Sequence, residues 1–229
     1  MNLILNIDTS TESASVSIAS DGELLYSLIN ENQKDHAGFL HSAINIVMEK
    51  ASAALSSLSA IAVVHGPGSY TGLRVGMASA KGLCYALNKP FITIGTLDMM
   101  ANAAVNSDEN LNCTLFCPLI DARRMEVFTA IYNRQMLQVE TPNAMILNET
   151  SFEKLLQNNK ICFLGSGSEK FKSLIKTENA SFFEVKSFIP SMAQLSFIKY
   201  STVNFTQLVD SEPLYIKEFH SSPDFTNKK

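Results

Sequence analysis

The chain has 229 residues, 46% of them apolar and 17% charged, with a formal net charge of −4. That length suits one large domain or two small ones, each with a core of its own, and a surface so short of charge points to a partner covering part of it. No basic stretch precedes Lys228-Lys229, so tight, unaided nucleic-acid binding is not expected, because phosphate neutralisation needs clustered Lys and Arg.

The opening MNLILNIDTS has no cationic flank, and the first lysine is Lys34, so it reads as a buried strand and not as a signal peptide. No segment approaches the roughly 18 apolar residues of a membrane span. Strands are expected over residues 3–8, 13–19 and 23–29, with an Asp21-Gly22 hairpin between the last two. Leu40, Ile44, Val47, Met48 and Ala51 recur at helical spacing and predict a helix over 36–51. Then come a strand over 61–64, a helix over 71–87, a strand over 91–94 and a helix over 97–105. The polar run SDENLN, 107–112, marks a boundary, which divides the chain into domains at 1–108 and 109–229. Beyond it strands are expected over 114–120, 126–132 and 135–139, a helix over 152–157 and a strand over 161–164. A helix over 169–175, a strand over 182–185 and a helix over 192–200 complete the order. The second half repeats the element order of the first, as a duplicated unit with one sheet per half would. The cysteines Cys84, Cys113, Cys117 and Cys162 form no C-x-x-C pair. Cys113 and Cys117 lie about 13 Å apart along one strand, too far for a disulfide, so buried thiols of a reducing cytoplasm are expected.

His65 is followed by GPGSYTGLR, residues 66–74, between a strand and a helix. A Walker loop needs Lys and a hydroxyl where Leu73-Arg74 stands, and a dinucleotide fingerprint needs glycine where Thr71 stands. Both phosphate signatures fail. The glycines then serve a sharp turn and close packing, with Ser69 or Thr71 capping the helix; an anion at this helix end is the lesser reading. At 100° per residue about two-thirds of the helix circumference is apolar or small, and the helix at 36–51 carries a stripe of roughly 200°, against the ~100° one sheet covers. Two such helices offer half of a four-helix interface, with the second domain as the competing cover.

Catalytic groups are sparse. Asp8 could hold Mg²⁺ through water, with Glu12 as the one nearby acid. His36 and His41 lie about 140° apart on a helix and cannot share a metal as an i, i+4 pair does. His65 has no evident acid partner, and His220 sits in the tail. Asp121-Ala122-Arg123-Arg124 stands between two strands, where an Asp and an Arg usually pair with each other or cap the backbone; the functional reading has them face the cleft between the halves.

Several segments together resemble one family. ILNIDTSTESASVSI, GPGSYTGLRVGMASAKGL, PLIDARRMEVFTAIY and EPLYIK occur in the order, and with much of the wording, of the signatures of the TsaB (YeaZ) family of tRNA threonylcarbamoyladenosine biosynthesis proteins. Phe128 replaces a usual Tyr, Lys217 a usual Arg, and Leu40-His41-Ser42 stands where a Leu-Leu-Pro or Ile-Leu-Pro is common. The resemblance implies an α/β, actin-like ATPase (ASKHA) fold of two RNase H-like subdomains, each a mixed β-sheet flanked by helices. It implies a cytoplasmic, non-catalytic subunit that dimerises with and activates TsaD. That partner transfers threonylcarbamoyl to N6 of the adenosine next to the anticodon, in tRNAs reading codons that begin with A. A TsaE-like ATPase joins the assembly, ATP and Mg²⁺ belong to the partners, and a homodimer forms when the partner is missing. The interface expected is Phe39, Leu40, Ala43, Ile44 and Val47 on the first helix and Gly72, Val75, Gly76, Ser79 and Leu83 on the second. No catalytic or metal residue is expected; Asp8, Ser10, Gly68 and Ser69 stand as candidates for a nucleotide. The alternative is a stand-alone actin-fold ATPase or a peptidase-like enzyme.

Overall fold

The computed structural model describes residues 1–31, 36–107 and 112–217, with His36 and Ala37 described by backbone alone. The side chain of His36, all of His220 and the middle of the expected boundary at 108–111 lie outside the described residues.

The first half runs β1 (Leu3–Asp8), β2 (Ala14–Ser20), β3 (Glu23–Asn30), α1 (His36–Lys50), β4 (Ala60–Gly66), α2 (Tyr70–Leu87), β5 (Phe91–Gly95) and α3 (Thr96–Val105). The second runs β6 (Leu115–Asp121), β7 (Glu126–Asn133), β8 (Gln138–Ile146), α4 (Glu153–Leu156), β9 (Ile161–Leu164), α5 (Ser168–Lys172), β10 (Ala180–Phe183) and α6 (Ile189–Ser201). The strand order is β3-β2-β1-β4-β5 in one sheet and β10-β9-β6-β7-β8 in the other. Read from the first strand of each half, these are the same order. In each, the first three strands pair antiparallel and the last two join parallel. The duplicated unit expected from the element order is therefore present in the hydrogen bonding.

Near-continuous apolar strands such as β1 and β4 need cover on both faces. In the first sheet Leu5, Ile7, Ile61 and Val63 point to α1 and α2, while Ile4, Ala62, Ile92 and Ile94 point to Met99 of α3 and Met192 of α6. In the second, Phe116, Tyr132 and Leu164 meet α3, and Phe163 meets Phe152 and Phe171 beside α4 and α5. The third helix of each half is thus exchanged: α3 packs chiefly on β6, and α6 packs across β3, β5 and β1. Asp98 of α3 accepts from Tyr132 Oη of β7 at 2.8 Å, and Gln194 of α6 accepts from Asn102 of α3 at 3.3 Å. The helix that follows the second sheet in sequence thus covers the first.

Two strands differ from expectation, the smaller shift being β10, which is Ala180–Phe183 where a strand was expected over 182–185. β8 starts at Gln138, where a strand was expected from 135. Asn133 Oδ1 accepts from the amides of Gln135 and Leu137, both at 3.0 Å, and Met136 takes a positive φ of 61°, so these residues form the turn. Pro142 inside β8 is tolerated because β8 is an edge strand. Among the described residues no helix is long and apolar enough to cross a membrane. All four cysteines are buried thiols outside any disulfide. Burial pushes the Cys84 and Cys117 thiols up to about 12, which leaves them inert.

Candidate functional site

The first turn and the glycine loop close on one another. Asp8 Oδ1 accepts from the amide and the hydroxyl of Ser10, at 2.9 and 2.7 Å, which bends the chain after β1. Ser10 O then accepts from the Ser69 amide at 2.7 Å. Thr9 Oγ1 donates to Gly72 O at 2.6 Å, and Ser69 Oγ caps α2 by accepting from the Gly72 amide at 3.3 Å. A Cβ on Gly68 would collide with the Ser10 carbonyl, and one on Gly72 with the Thr9 carbonyl. These glycines let α2 and its loop lie against backbone. Two amides that a phosphate would need, those of Ser69 and Gly72, already donate inside the protein.

The second half carries a counterpart that reading by element order alone did not find. Asp121 ends β6 as Asp8 ends β1, and its Oδ1 accepts from the Arg123 amide at 2.6 Å, the same i+2 turn. Gly165-Ser166-Gly167-Ser168 follows β9, and Gly66-Pro67-Gly68-Ser69 likewise leads out of β4, with Gly66 as its last residue. It too folds onto its own first strand: the Gly167 amide donates to Leu119 O at 2.8 Å and Ser166 Oγ accepts from the Asp121 amide at 3.0 Å. The visible signal was G-x-G-S after a strand, placed alike in both halves. Asp121 also pairs with Lys170 Nζ at 2.6 Å. Burial works to raise its carboxyl, but Lys170 and the Arg123 amide outweigh that and hold it below the usual carboxylate range. The expected capping role of this segment is what the structure has, with Lys170 as the ion partner.

Between the halves lies a cleft of ≈ 230 Å³. It is lined by Asp8, Thr11, Ser13, Ser15, Ile29, Glu31 and Met99 of the first half and by residues 185–189 and Met192 of the second. Of the four nucleotide candidates, Asp8 faces this cleft, whereas Ser10, Gly68 and Ser69 lie in the seam just described. Among the described residues no group of three or more His, Cys, Asp or Glu could hold a metal ion. His41 is exposed, and His65 Nδ1 lies 2.9 Å from Ile94 O.

The ten interface candidates separate. Leu40, Ala43, Ile44 and Val47 are buried against the first sheet, and Gly72 and Gly76 are buried against β1 and β4. These six are corrected: their apolar or small character serves the chain's own core. What remains outward on α1 is mostly polar, His41, Ser42, Asn45 and Glu49, flanked by the half-buried Phe39 and the exposed Ile46. On α2 the outward arc carries small residues: Ala78, Gly82 and Ala86 are exposed, Val75, Ser79 and Leu83 half-buried at its margin, and Tyr85 is 83% exposed. Among the described side chains, the broad free stripe expected on both helices is narrowed on α2 and reduced to Phe39 and Ile46 on α1.

His65 gives a pH handle on this region. Burial lowers its imidazole below the usual 6.5; the Ile94 carbonyl opposes that, Lys199 adds to it and Asp98 opposes it. A lowered base pKa means that the unfolded chain takes up a proton that the fold refuses. This share of stability is full above pH 6.5 and lost as pH falls from there through the folded value. The urea midpoint should fall between about pH 7.5 and about pH 5.5, and His65→Gln should flatten that fall. Parallel curves for the two proteins would remove His65 from the account.

Comparison with known proteins supplies the context. A family model described as "TsaD: tRNA N6-adenosine threonylcarbamoyltransferase" matches residues 28–200. The tRNA threonylcarbamoyladenosine biosynthesis protein TsaB of Bacillus subtilis (strain 168) is 28% identical over 194 residues, 83% of this chain and 81% of that one. Its namesake in Escherichia coli (strain K12) is 26% identical over 225 residues, 93% and 94% of the two chains. The solved structure of YeaZ from Pseudomonas aeruginosa superposes with a TM-score of 0.74 at 22% identity, covering 94% of this chain and all of that one, 100%. A second solved structure, described as similar to peptidase YEAZ from Pseudomonas aeruginosa, gives a TM-score of 0.80 at 22% identity, with 95% and 100% covered. At these identities the two structures speak for the fold, and the fold is the actin-like pair of mixed sheets.

Proposed function

The chain belongs to the TsaB (YeaZ) family, within the wider family that the TsaD model describes, and from that premise we propose that it is a non-catalytic, activating subunit. The work of that family is threonylcarbamoyladenosine biosynthesis. The reaction served is transfer of threonylcarbamoyl to N6 of the adenosine beside the anticodon, in tRNAs reading codons that begin with A. A TsaD-like subunit carries it out, a TsaE-like ATPase assists, and ATP and Mg²⁺ are handled by those partners in the cytoplasm. In the absence of the TsaD-like subunit two copies pair through the same face.

The observation that supports this reading most is the outward face of α2. Ala78, Gly82 and Ala86 are exposed and Val75 and Ser79 half-buried, so that small side chains form a face that the chain's own fold covers only in part. Such a face lets a partner helix approach to the close end of the 8–10 Å typical of packed helices. The seam of Ser10, Gly68 and Ser69 supports the same reading, since the loop's donors serve the fold. With a net charge of −4, the chain leaves tRNA to be held by others.

Reconstitution tests it. A TsaD-like subunit, its ATPase and tRNA should modify the adenosine many times faster with this chain than without it. The isolated chain should bind no ATP at micromolar concentrations in a calorimeter, and Asp8→Ala should leave activation of the partner intact. ATP turnover by the isolated chain that disappears in Asp8→Ala would overturn the proposal in favour of a stand-alone ATPase.

A further inference from the structure

After α6 the described chain runs to Lys217 with no further helix or strand, yet it is tied down at regular intervals. The Thr206 amide donates to Phe91 O at 2.8 Å and Thr206 Oγ1 accepts from the Thr93 amide at 3.2 Å, which covers the open edge of β5. Lys81 Nζ of α2 donates to Val209 O and Ser211 O at 3.2 and 3.0 Å. The Leu214 amide donates to His65 O at 2.7 Å, and Leu214 O lies so close to Gly66 that a Cβ there would meet it at 2.8 Å. Arg74 Nε donates to Tyr215 Oη at 2.9 Å while its guanidinium sits 4.1 Å over the Tyr70 ring, and the Tyr70 and Tyr215 rings are 5.2 Å apart. Two residues further on, Lys217 Nζ forms an ion pair with Glu126, the first residue of β7.

Between Leu214 and Lys217, therefore, the chain crosses from the β4–α2 loop of the first half to the β6–β7 turn of the second. The β6–β7 turn is the counterpart of the β1–β2 turn, onto which the β4–α2 loop folds through the Ser69 amide and Ser10 O, so the path joins the equivalent ends of the two sheets. The bonds along this path differ in strength. Thr206 is held through its amide and its hydroxyl at a sheet edge, whereas among the described residues Lys217 is held by one ion pair with the lysine half exposed, a kind worth little alone. Opening would start at Lys217 and run back toward Thr206.

We propose that residues 206–217 form a strap that fixes the angle between the two halves, with the Lys217–Glu126 ion pair as its releasable end. The strap stands on its own contacts and goes beyond the docking role of α2. Held, it keeps the cleft between Asp8 and residues 185–189 at its present width; released, it lets the halves move about α3 and α6, the elements they share.

Hydrogen exchange of the full chain followed by NMR tests it. Lys217→Glu and Glu126→Lys should each speed exchange at the Leu214 amide and at amides 185–189 by about two- to fivefold. The double reversal, Lys217→Glu with Glu126→Lys, should bring both back to wild-type rates. Tyr215→Phe keeps the ring stack and loses the hydroxyl that Arg74 uses, so it should raise both rates with no change of charge. A freed Leu214 amide with unchanged exchange at 185–189 would reduce the segment to a local tether and overturn the proposal. So would a double reversal that behaves like the single variants.

Discussion

Gly72→Ala should cost about 3 kcal/mol of folding stability or more, measured by urea unfolding. The added methyl has nowhere to go. It would meet the Thr9 carbonyl, and Ser69 Oγ and the Thr9 carbonyl carbon both lie 3.2 Å from its position. Backbone on β1's exit cannot swing aside as a side chain could, because Thr9 Oγ1 is bonded to Gly72 O at 2.6 Å and Ser10 O to the Ser69 amide at 2.7 Å. Relief would mean pulling α2 off β1, and with it Met77 and Ala80 out of the core. Against the ~5–15 kcal/mol that hold a typical domain, such a loss leaves little folded protein at 37 °C. Gly82→Ala is the control on the same helix. Nothing lies within 4 Å of its would-be Cβ, so the change should raise stability by roughly 0.5–1 kcal/mol through helix propensity alone. A Gly72→Ala midpoint equal to wild type would mean that the seam between the first turn and the glycine loop is loose. The same geometry sets the fate of Ala43→Arg and Gly76→Arg. Ala43 is 1% exposed and a Gly76 Cβ would collide with Thr9 Oγ1, so both should unfold the protein and report nothing about docking.

The contrast between Gly72 and Gly82 shows what the sequence could and could not carry. Both are glycines on one helix, and a helical wheel gives each an angle but not what stands opposite. The wheel drew the apolar arc of α1 correctly; it could not say that one sheet, with Leu58 and the flank of α2, consumes Leu40, Ala43, Ile44 and Val47 together. Strands β1, β4 and β5 were legible because cover on both faces makes them near-continuous apolar runs between turn residues. β8 was misplaced because an edge strand needs no such pattern and tolerates Pro142. The exchange of α3 and α6 was hidden for a different reason: helix spacing fixes a face, and either sheet could have received it. The strap has no periodicity at all. Its anchors, Thr206, Leu214, Tyr215 and Lys217, act through backbone bonds and single side chains, which only coordinates reveal. EPLYIK stood out by resemblance, and the fold gives three of its six residues, Leu214, Tyr215 and Lys217, a physical task.

Gly82→Arg should abolish docking without touching the fold. Gly82 sits midway along the outward arc of α2, flanked by Ala78 and Ala86 one turn either way and by Val75 and Ser79 on the same side. A partner helix lying on this arc would rest on backbone and methyl groups, and the first long side chain added there would hold it off by several ångströms. Loss of such a central contact is expected to weaken binding at least about 100-fold, the equivalent of roughly 3 kcal/mol. Titration calorimetry with the TsaD-like subunit reads this directly, and sedimentation reads the same loss in the homodimer proposed above. The open space around Gly82 predicts an unfolding midpoint close to wild type, which separates lost docking from lost fold. Gly82→Ala, with one methyl, should weaken binding far less. Arginine at Phe39 or Ile46 should have a smaller effect than at Gly82, because those side chains stand at the edge of an otherwise polar helix face. Wild-type affinity in Gly82→Arg would move the interface off α2, and the small residues at 78, 82 and 86 would then need another reason to be there.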